Sequence, residues 1–261
     1  MTAPPNVLVL SGHDPSGGAG FQADLEAIGA LGAHPAGVLT ALTRQDTRDA
    51  YEVWPLPDDR FAAMLDTLTA DMPFAAIKVG LLGSPDQARR IAAFHQTHPD
   101  LPLVVDPVLR AGGGGQLAAD PVARALIDVL LPTATLSTPN AGEARLLCPD
   151  AADLDDCGQQ LSRGHSGWVL ITGGDEPGNT VTNSLFHDGD PVRRFQWPRQ
   201  PHRFHGSGCT LAAAAAARLA AGDEVPAAVA AAQQYVADAL ATGFQPGGGQ
   251  VIPGRLPRRS P

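Results

Sequence analysis

Short apolar runs alternate along the chain with longer stretches in which apolar residues recur at helical spacing. Residues 6–10, 36–42, 75–79, 103–106, 135–138 and 168–172 read as strands. Residues 18–31, 84–98, 121–131, 140–147, 154–163, 208–221 and 225–242 read as helices, the first with Phe21, Leu25, Ile28 and Leu31 on one face. Asp58 caps a further helix that runs to about residue 71. Residues 51–56 alternate and predict a short strand outside the main sheet, and 180–187 with 192–197 predict an antiparallel pair.

Repeated strand–helix units imply an α/β fold with a mostly parallel sheet covered on both faces. Ligands of such folds bind outside the carboxyl ends of the strands. The polar, glycine-rich clusters at 11–20, 106–115, 139–143 and 173–178 all follow strands, so the pattern gathers them at one edge. No internal repeat is visible. Residues 1–244 read as one domain, and 245–261, rich in Gly, Pro and Arg, as a loose tail.

Composition narrows the classes. With 261 residues, 44% of them hydrophobic and 17% charged, the chain suits one continuous core. The net charge of −9 and the lack of a basic stripe argue against a nucleic-acid partner. No run reaches the length of a membrane span, and the start lacks the basic flank of a signal peptide. Cys148, Cys157 and Cys209 fit neither a disulfide framework nor a zinc site, which points to reduced thiols and a cytoplasmic location. Lys78 is the only lysine among 18 Lys and Arg residues, a hint that its position is special.

Three groups carry candidate chemistry. Gly206-Ser207-Gly208-Cys209 precedes a long helix, where free N–H groups and the helix dipole form an anion hole for a phosphate. The bland alternative is an ordinary glycine-rich loop. Cys209 at a helix start is expected to have a lowered thiol pKa and to take a proton, or else to be a small packing residue. Asp106 ends an apolar strand, and Asn140 and Glu143 follow another, three apart on one face. Such oxygens suit magnesium held partly through water, although Asn140 and Glu143 equally form a capping box. The stretch Gly18-Ala19-Gly20-Phe21-Gln22-Ala23 fits a relaxed dinucleotide fingerprint, but the long polar loop before it does not.

Several stretches together resemble one family. They are Ser11-Gly12-His13-Asp14-Pro15-Ser16-Gly17-Gly18-Ala19-Gly20 with Gln22-Ala23-Asp24, then Thr40 to Thr43 with Gln45-Asp46-Thr47. Lys78-Val79-Gly80, Asp106-Pro107-Val108, Thr138-Pro139-Asn140 with Glu143, Gly173-Gly174 and His205 to Thr210 follow in order. Across residues 7–241 the chain resembles the hydroxymethylpyrimidine/phosphomethylpyrimidine kinases of the ribokinase-like superfamily. The resemblance implies a three-layer α/β/α sandwich, often homodimeric, that phosphorylates 4-amino-5-hydroxymethyl-2-methylpyrimidine and then its monophosphate with ATP and Mg2+. It places Gln45, Gly12, Asp24 and Val108 at the substrate, Asp106, Thr172 and Gly174 at the nucleotide, and Cys209 where most of the superfamily has a catalytic Asp. A glutamine amide also pairs bidentately with an aminopyrimidine edge, though the family-free reading of Gln45 is a surface loop residue.

The chain departs from the family pattern at three places. Thr172-Gly173-Gly174-Asp175 stands where Lys-Gly-Gly-His is common, Asn183 where Asp is frequent, and Ala111 with Gly112 to Gly115 where Lys-Ser-Gly is usual. The competing readings are a pyridoxal or pyridoxine kinase, a ligand-binding sensor with an impaired kinase site, and a nicotinamide-dependent oxidoreductase.

Overall fold

The computed structural model describes residues 3–109, 120–164 and 166–256. The altered stretch at Ala111 to Gly115 and the last five residues lie outside the described residues. Strand β1 (Asn6–His13) leads into α1 (Gly20–Ala30) and β2 (His34–Gln45), which turns into β3 (Ala50–Pro55). Then come α2 (Asp58–Asp71), β4 (Ala76–Val79), α3 (Pro85–Thr97), β5 (Leu103–Val105), α4 (Asp120–Ala125) and β6 (Ala134–Ser137). The second half contains α5 (Ala141–Leu147), α6 (Leu154–Gly164), β7 (Ser166–Ile171), β8 (Thr180–His187), β9 (Asp190–Pro198), α7 (Ser207–Ala220) and α8 (Val225–Ala241).

The strands form one sheet in the order β3-β2-β1-β4-β5-β6-β7-β8-β9. From β2 to β7 all pairs are parallel, and the antiparallel pairs lie at the two ends. Val7, Leu8, Val9 and Leu10 are all fully buried, as a central parallel strand requires. Their side chains alternate: Val7 and Val9 pack with α1, α7 and α8, while Leu8 and Leu10 pack with α2, α3 and α4. A third cluster joins Ala144, Cys148, Cys157 and Leu161 of the α5–α6 region to Val169, Ile171 and Phe186. Six consecutive buried alanines, Ala212 to Ala217, let α7 lie close to the sheet and its neighbours. Among the described residues no helix is long and apolar enough to cross a membrane.

The structure corrects four expectations. The strand expected outside the main sheet is β3, which pairs antiparallel with β2 and forms its edge. Asp46 closes the intervening turn by accepting from the N–H groups of Arg48 and Asp49. The helix expected over 121–131 is α-helical only to Ala125, then loosens to a π turn and tightens to a 3-10 turn containing Pro132. Asp58 is the first helical residue, and Pro57 holds the cap position. The segment expected as a loose tail is docked as far as Arg255. Phe244 and Ile252 exchange backbone hydrogen bonds, Val251 bridges Arg203 and His205, and Arg255 is buried.

Candidate active site

The carboxyl ends of β1, β2, β4, β5, β6 and β7 and the start of α7 surround one cavity of about 690 Å3. Gly12, Gln45, Asp106, Val108, Asn140, Glu143, Thr172 and Gly174 line it, as do Gly206, Ser207, Gly208 and Cys209. Twelve of the thirteen expected site residues are thus in one place. Asp24 is the exception: it lies fully buried behind the wall, accepting from Lys78 Nζ at 2.8 Å and Ser11 Oγ at 2.7 Å. Burial there costs so much that a charged Asp24 needs a partner, and the sole lysine supplies it.

Lys78 is itself fully buried, yet it lines the cavity floor. Burial works against its charge, but Asp24, then Cys209 and Asp106, outweigh that and raise its pKa. Lysine's long stem lets one cation serve both the buried Asp24 and the floor. Gly80 leaves it room, since a Cβ there would sit 2.7 Å from Lys78 Nζ.

At the start of α7, Gly206 takes the left-handed conformation with φ of 81° and caps the helix without any side-chain bond. The first N–H groups of a helix have no intrahelical partner, so this end presents donors and positive potential to the cavity. A Cβ on Gly206 would collide with the carbonyl oxygen of Gly18, whereas one on Gly208 would meet nothing within 4 Å. Gly206 is therefore required by shape and Gly208 leaves open space before the helix. The β1–α1 loop beside it is organised by Asp14, whose carboxylate accepts from Ser16 N, Ser16 Oγ and Ala19 N. His205 Nε2 lies 2.8 Å from the same carboxylate. Burial opposes the charge of Asp14, but His205 and Ser16 outweigh it and lower its pKa to about 2.

Cys209 behaves opposite to the expectation from its helix-start position. Burial first, then the negative charge of Asp106, push its pKa well above the ordinary thiol value, and Lys78 offsets this only in part. It is a protonated thiol beside Asp106, whose own carboxyl burial pushes upward. Asp106 Oδ2 is buried without a hydrogen-bond partner among the described residues.

Asn140 and Glu143 form the capping box of α5. Asn140 Oδ1 accepts from Glu143 N at 2.8 Å, and Glu143 Oε2 accepts from Asn140 N at 3.0 Å. Glu143 Oε1 also faces the N–H of Leu109 at 3.4 Å. Burial, and then Asp106, push the Glu143 pKa up to about 8. The box and the cavity wall are one structure, so the two readings of this pair are compatible. Thr172 is held by its backbone to Pro139 and Ala141, and Gly173 N donates to Asn183 Oδ1.

Magnesium fits these residues through water more readily than through direct ligation. Burial and the crowding of Asp106 and Glu143 push both carboxyls toward the neutral form, and a cation here would favour their ionised forms. Among the described residues no three His, Cys, Asp or Glu side chains converge as a metal cage.

Sequence reasoning missed the Asp14–His205 pair, Arg255, and Arg199, whose guanidinium donates to the carbonyls of Gly174, Glu176 and Gly178. For Lys78 a signal existed in its uniqueness. Asp14 and His205 stood in the quoted motifs, but nothing there showed that they would pair, and for Arg199 and Arg255 there was no signal, because each acts across the fold.

This cavity, an anion-binding helix start facing carboxylates at the end of a parallel sheet, belongs to a phosphotransferase of the α/β kinase class. The fold is shared with the pyridoxal kinase from Staphylococcus aureus in complex with AMP-PCP, with a TM-score of 0.87, 30% identity and coverage of 97% of this chain and 94% of that one. It is also shared with the phosphomethylpyrimidine kinase from Clostridium difficile 630, with a TM-score of 0.77, 29% identity and coverage of 91% and 99%. The hydroxymethylpyrimidine/phosphomethylpyrimidine kinase of Streptomyces coelicolor is 39% identical over 251 residues, 94% of this chain and 92% of that protein. The phosphomethylpyrimidine kinase family model matches residues 14–253, and the chain belongs to that family.

Proposed function

We propose that the protein transfers the γ-phosphoryl group of ATP to the hydroxymethyl group of 4-amino-5-hydroxymethyl-2-methylpyrimidine, and then phosphorylates the monophosphate, in thiamine biosynthesis. The observation that carries this reading is that Gln45 and the start of α7 line the same cavity. Gln45 stands at the end of β2, beyond an irregularity in the β2–β3 pairing, with no side-chain partner among the described residues. Its amide is free to meet the amino group and ring nitrogen of the pyrimidine. Gly12 keeps the adjoining wall open, because a Cβ there would sit 2.8 Å from Leu81, and Val108 adds an apolar surface.

On the nucleotide side, the N–H groups at Ser207 and Gly208 receive the transferred phosphate, and Asp106, Thr172 and Gly174 border its donor. Mg2+, when bound, neutralises phosphate charge. Asp106, Asn140 and Glu143 would hold it. Transfer through a loose transition state needs position and charge more than a strong base. Cys209 receives the proton of the substrate hydroxyl as its own passes to Asp106, the neighbouring carboxylate whose pKa burial raises. Three free cysteines fit a reducing, cytoplasmic compartment. Exposed Leu42 and Trp54, cross-strand neighbours on the β2–β3 edge, fit a homodimer contact.

A second reading, a pyridoxal kinase, is favoured by the higher TM-score, 0.87 against 0.77. Phosphate transfer from MgATP to the pyrimidine, to its monophosphate and to pyridoxal separates the two. Gln45→Leu is expected to raise KM for the pyrimidine by roughly 10- to 100-fold with little change for ATP. Turnover on pyridoxal alone, or an unchanged pyrimidine KM in the variant, overturns the first reading.

A further inference from the structure

The guanidinium of Arg255 has no exposed surface, although its residue lies near the end of a segment composed like a loose tail. A buried cation persists only when its donors are satisfied. Arg255 Nε donates to Thr210 Oγ1 at 2.8 Å, and Nη1 donates to Gly17 O at 3.2 Å and to Glu26 Oε2 at 3.1 Å. Nη2 donates to Gly18 O. The backbone of the segment is held as firmly. Tyr235 Oη donates to Arg255 O at 2.8 Å, and Gly254 N donates to Ala239 O at 2.8 Å.

Three of these partners, Gly17, Gly18 and Thr210, lie in the β1–α1 loop and the first turn of α7, the two segments that flank the phosphate end of the cavity. Thr210 Oγ1 donates in turn to Gly206 O at 2.7 Å, the residue that caps α7. Gly18 O is the atom against which Gly206 packs. One planar fork therefore ties the carbonyls of the β1–α1 loop to the first turn of α7. It fixes the distance between two loops that lie at opposite ends of the chain.

We propose that Arg255 is a positioning residue for phosphate transfer: its guanidinium clamps the Gly17–Gly18 carbonyls to Thr210 and so sets the aim of the α7 N–H groups. The proposal rests on the kinase reading above. It places Arg255, which does not line the cavity, inside the catalytic framework. A misplacement of about 1 Å in such a frame lowers turnover by about 100-fold while leaving ground-state binding nearly intact.

The test uses the full chain with Arg255→Lys and Thr210→Val, singly and combined. Lysine keeps the charge but loses the fork, and valine keeps the shape but loses both hydrogen bonds. The expected result is a fall in kcat of roughly 10- to 100-fold for each, with KM for the pyrimidine within about twofold. The double variant is expected to be no worse than the poorer single one, because both break one link. Full kcat per folded molecule in Arg255→Lys, or losses that multiply in the double variant, overturn the proposal. If Arg255→Lys does not fold, Thr210→Val decides alone: a kcat loss at constant KM supports the clamp, and normal kcat overturns it. Wild-type protein that transfers no phosphate to the pyrimidine overturns the kinase reading instead.

Discussion

The loop from Asp14 to Gly20 and the turn from Gly206 to Gly208 touch through Gly18 and Gly206, yet they are shaped by different means. In the first, a carboxylate is turned inward. Asp14 gathers the N–H groups of Ser16 and Ala19 and the ring of His205, so its charge is consumed by the loop itself. In the second, no side chain among the described residues caps the helix, and the N–H groups at its start are left open. The contrast separates scaffold from site. A glycine-rich loop with its own internal anion is already satisfied, whereas one that leaves its donors open is prepared for an anion from outside.

The largest effect that would break this comparison is expected at Gly206. Its left-handed backbone and the collision with Gly18 O mean that Gly206→Ala strains the backbone and forces the loops apart. The cost is on the order of 2–5 kcal/mol of stability. Denaturant midpoints measure it, and an unchanged midpoint would show that the two loops are not locked together. Next comes Gly208→Ala. The added methyl meets no protein atom within 4 Å, so stability should change by less than about 1 kcal/mol. The methyl does enter the space assigned to phosphate, and turnover should fall by about 100-fold. Normal turnover in a stable Gly208→Ala protein would place the phosphate elsewhere.

The smallest effect concerns Asp14. Its pKa is depressed from 3.8 to about 2, so its ionised form contributes stability that is fully present above pH 3.8. That contribution is lost as pH falls through about 2. Asp14→Asn should therefore be less stable than the wild type near neutrality, with the gap closing between pH 3.8 and about 2. Urea midpoints across this acid range test it, and a gap that is constant with pH would show that the charge of Asp14 does not hold the loop.

Most of the architecture was legible along the chain. Fully apolar runs such as 7–10 announce central parallel strands, and the glycines before residue 210 announce a helix start. The edge strand β3 was recognised as a strand but not as part of the sheet, because its place depends on the Asp46 turn. Gln45 and Asp106, expected at the substrate and the nucleotide, were found lining the cavity. Asp24 was not, since the same motif position serves a wall residue or an ion-pair partner equally well. The thiol of Cys209 was misjudged because a helix start is a local feature, while the burial and the carboxylate that overrule it come from the fold.

The sequence by itself determined the alternation of strands and helices, the edge at which the polar loops collect and the family to which they conform. These depend on periodicity and on short motifs, which neighbouring residues carry together. Only the tertiary structure decided that Lys78 would neutralise Asp24, 54 residues away, and that Arg255 would reach the carbonyl of Gly18 across 237 residues. Hydrophobic and helical periods are set over a few residues, but the energy of a buried charge is set by whatever the fold brings within a few ångströms of it.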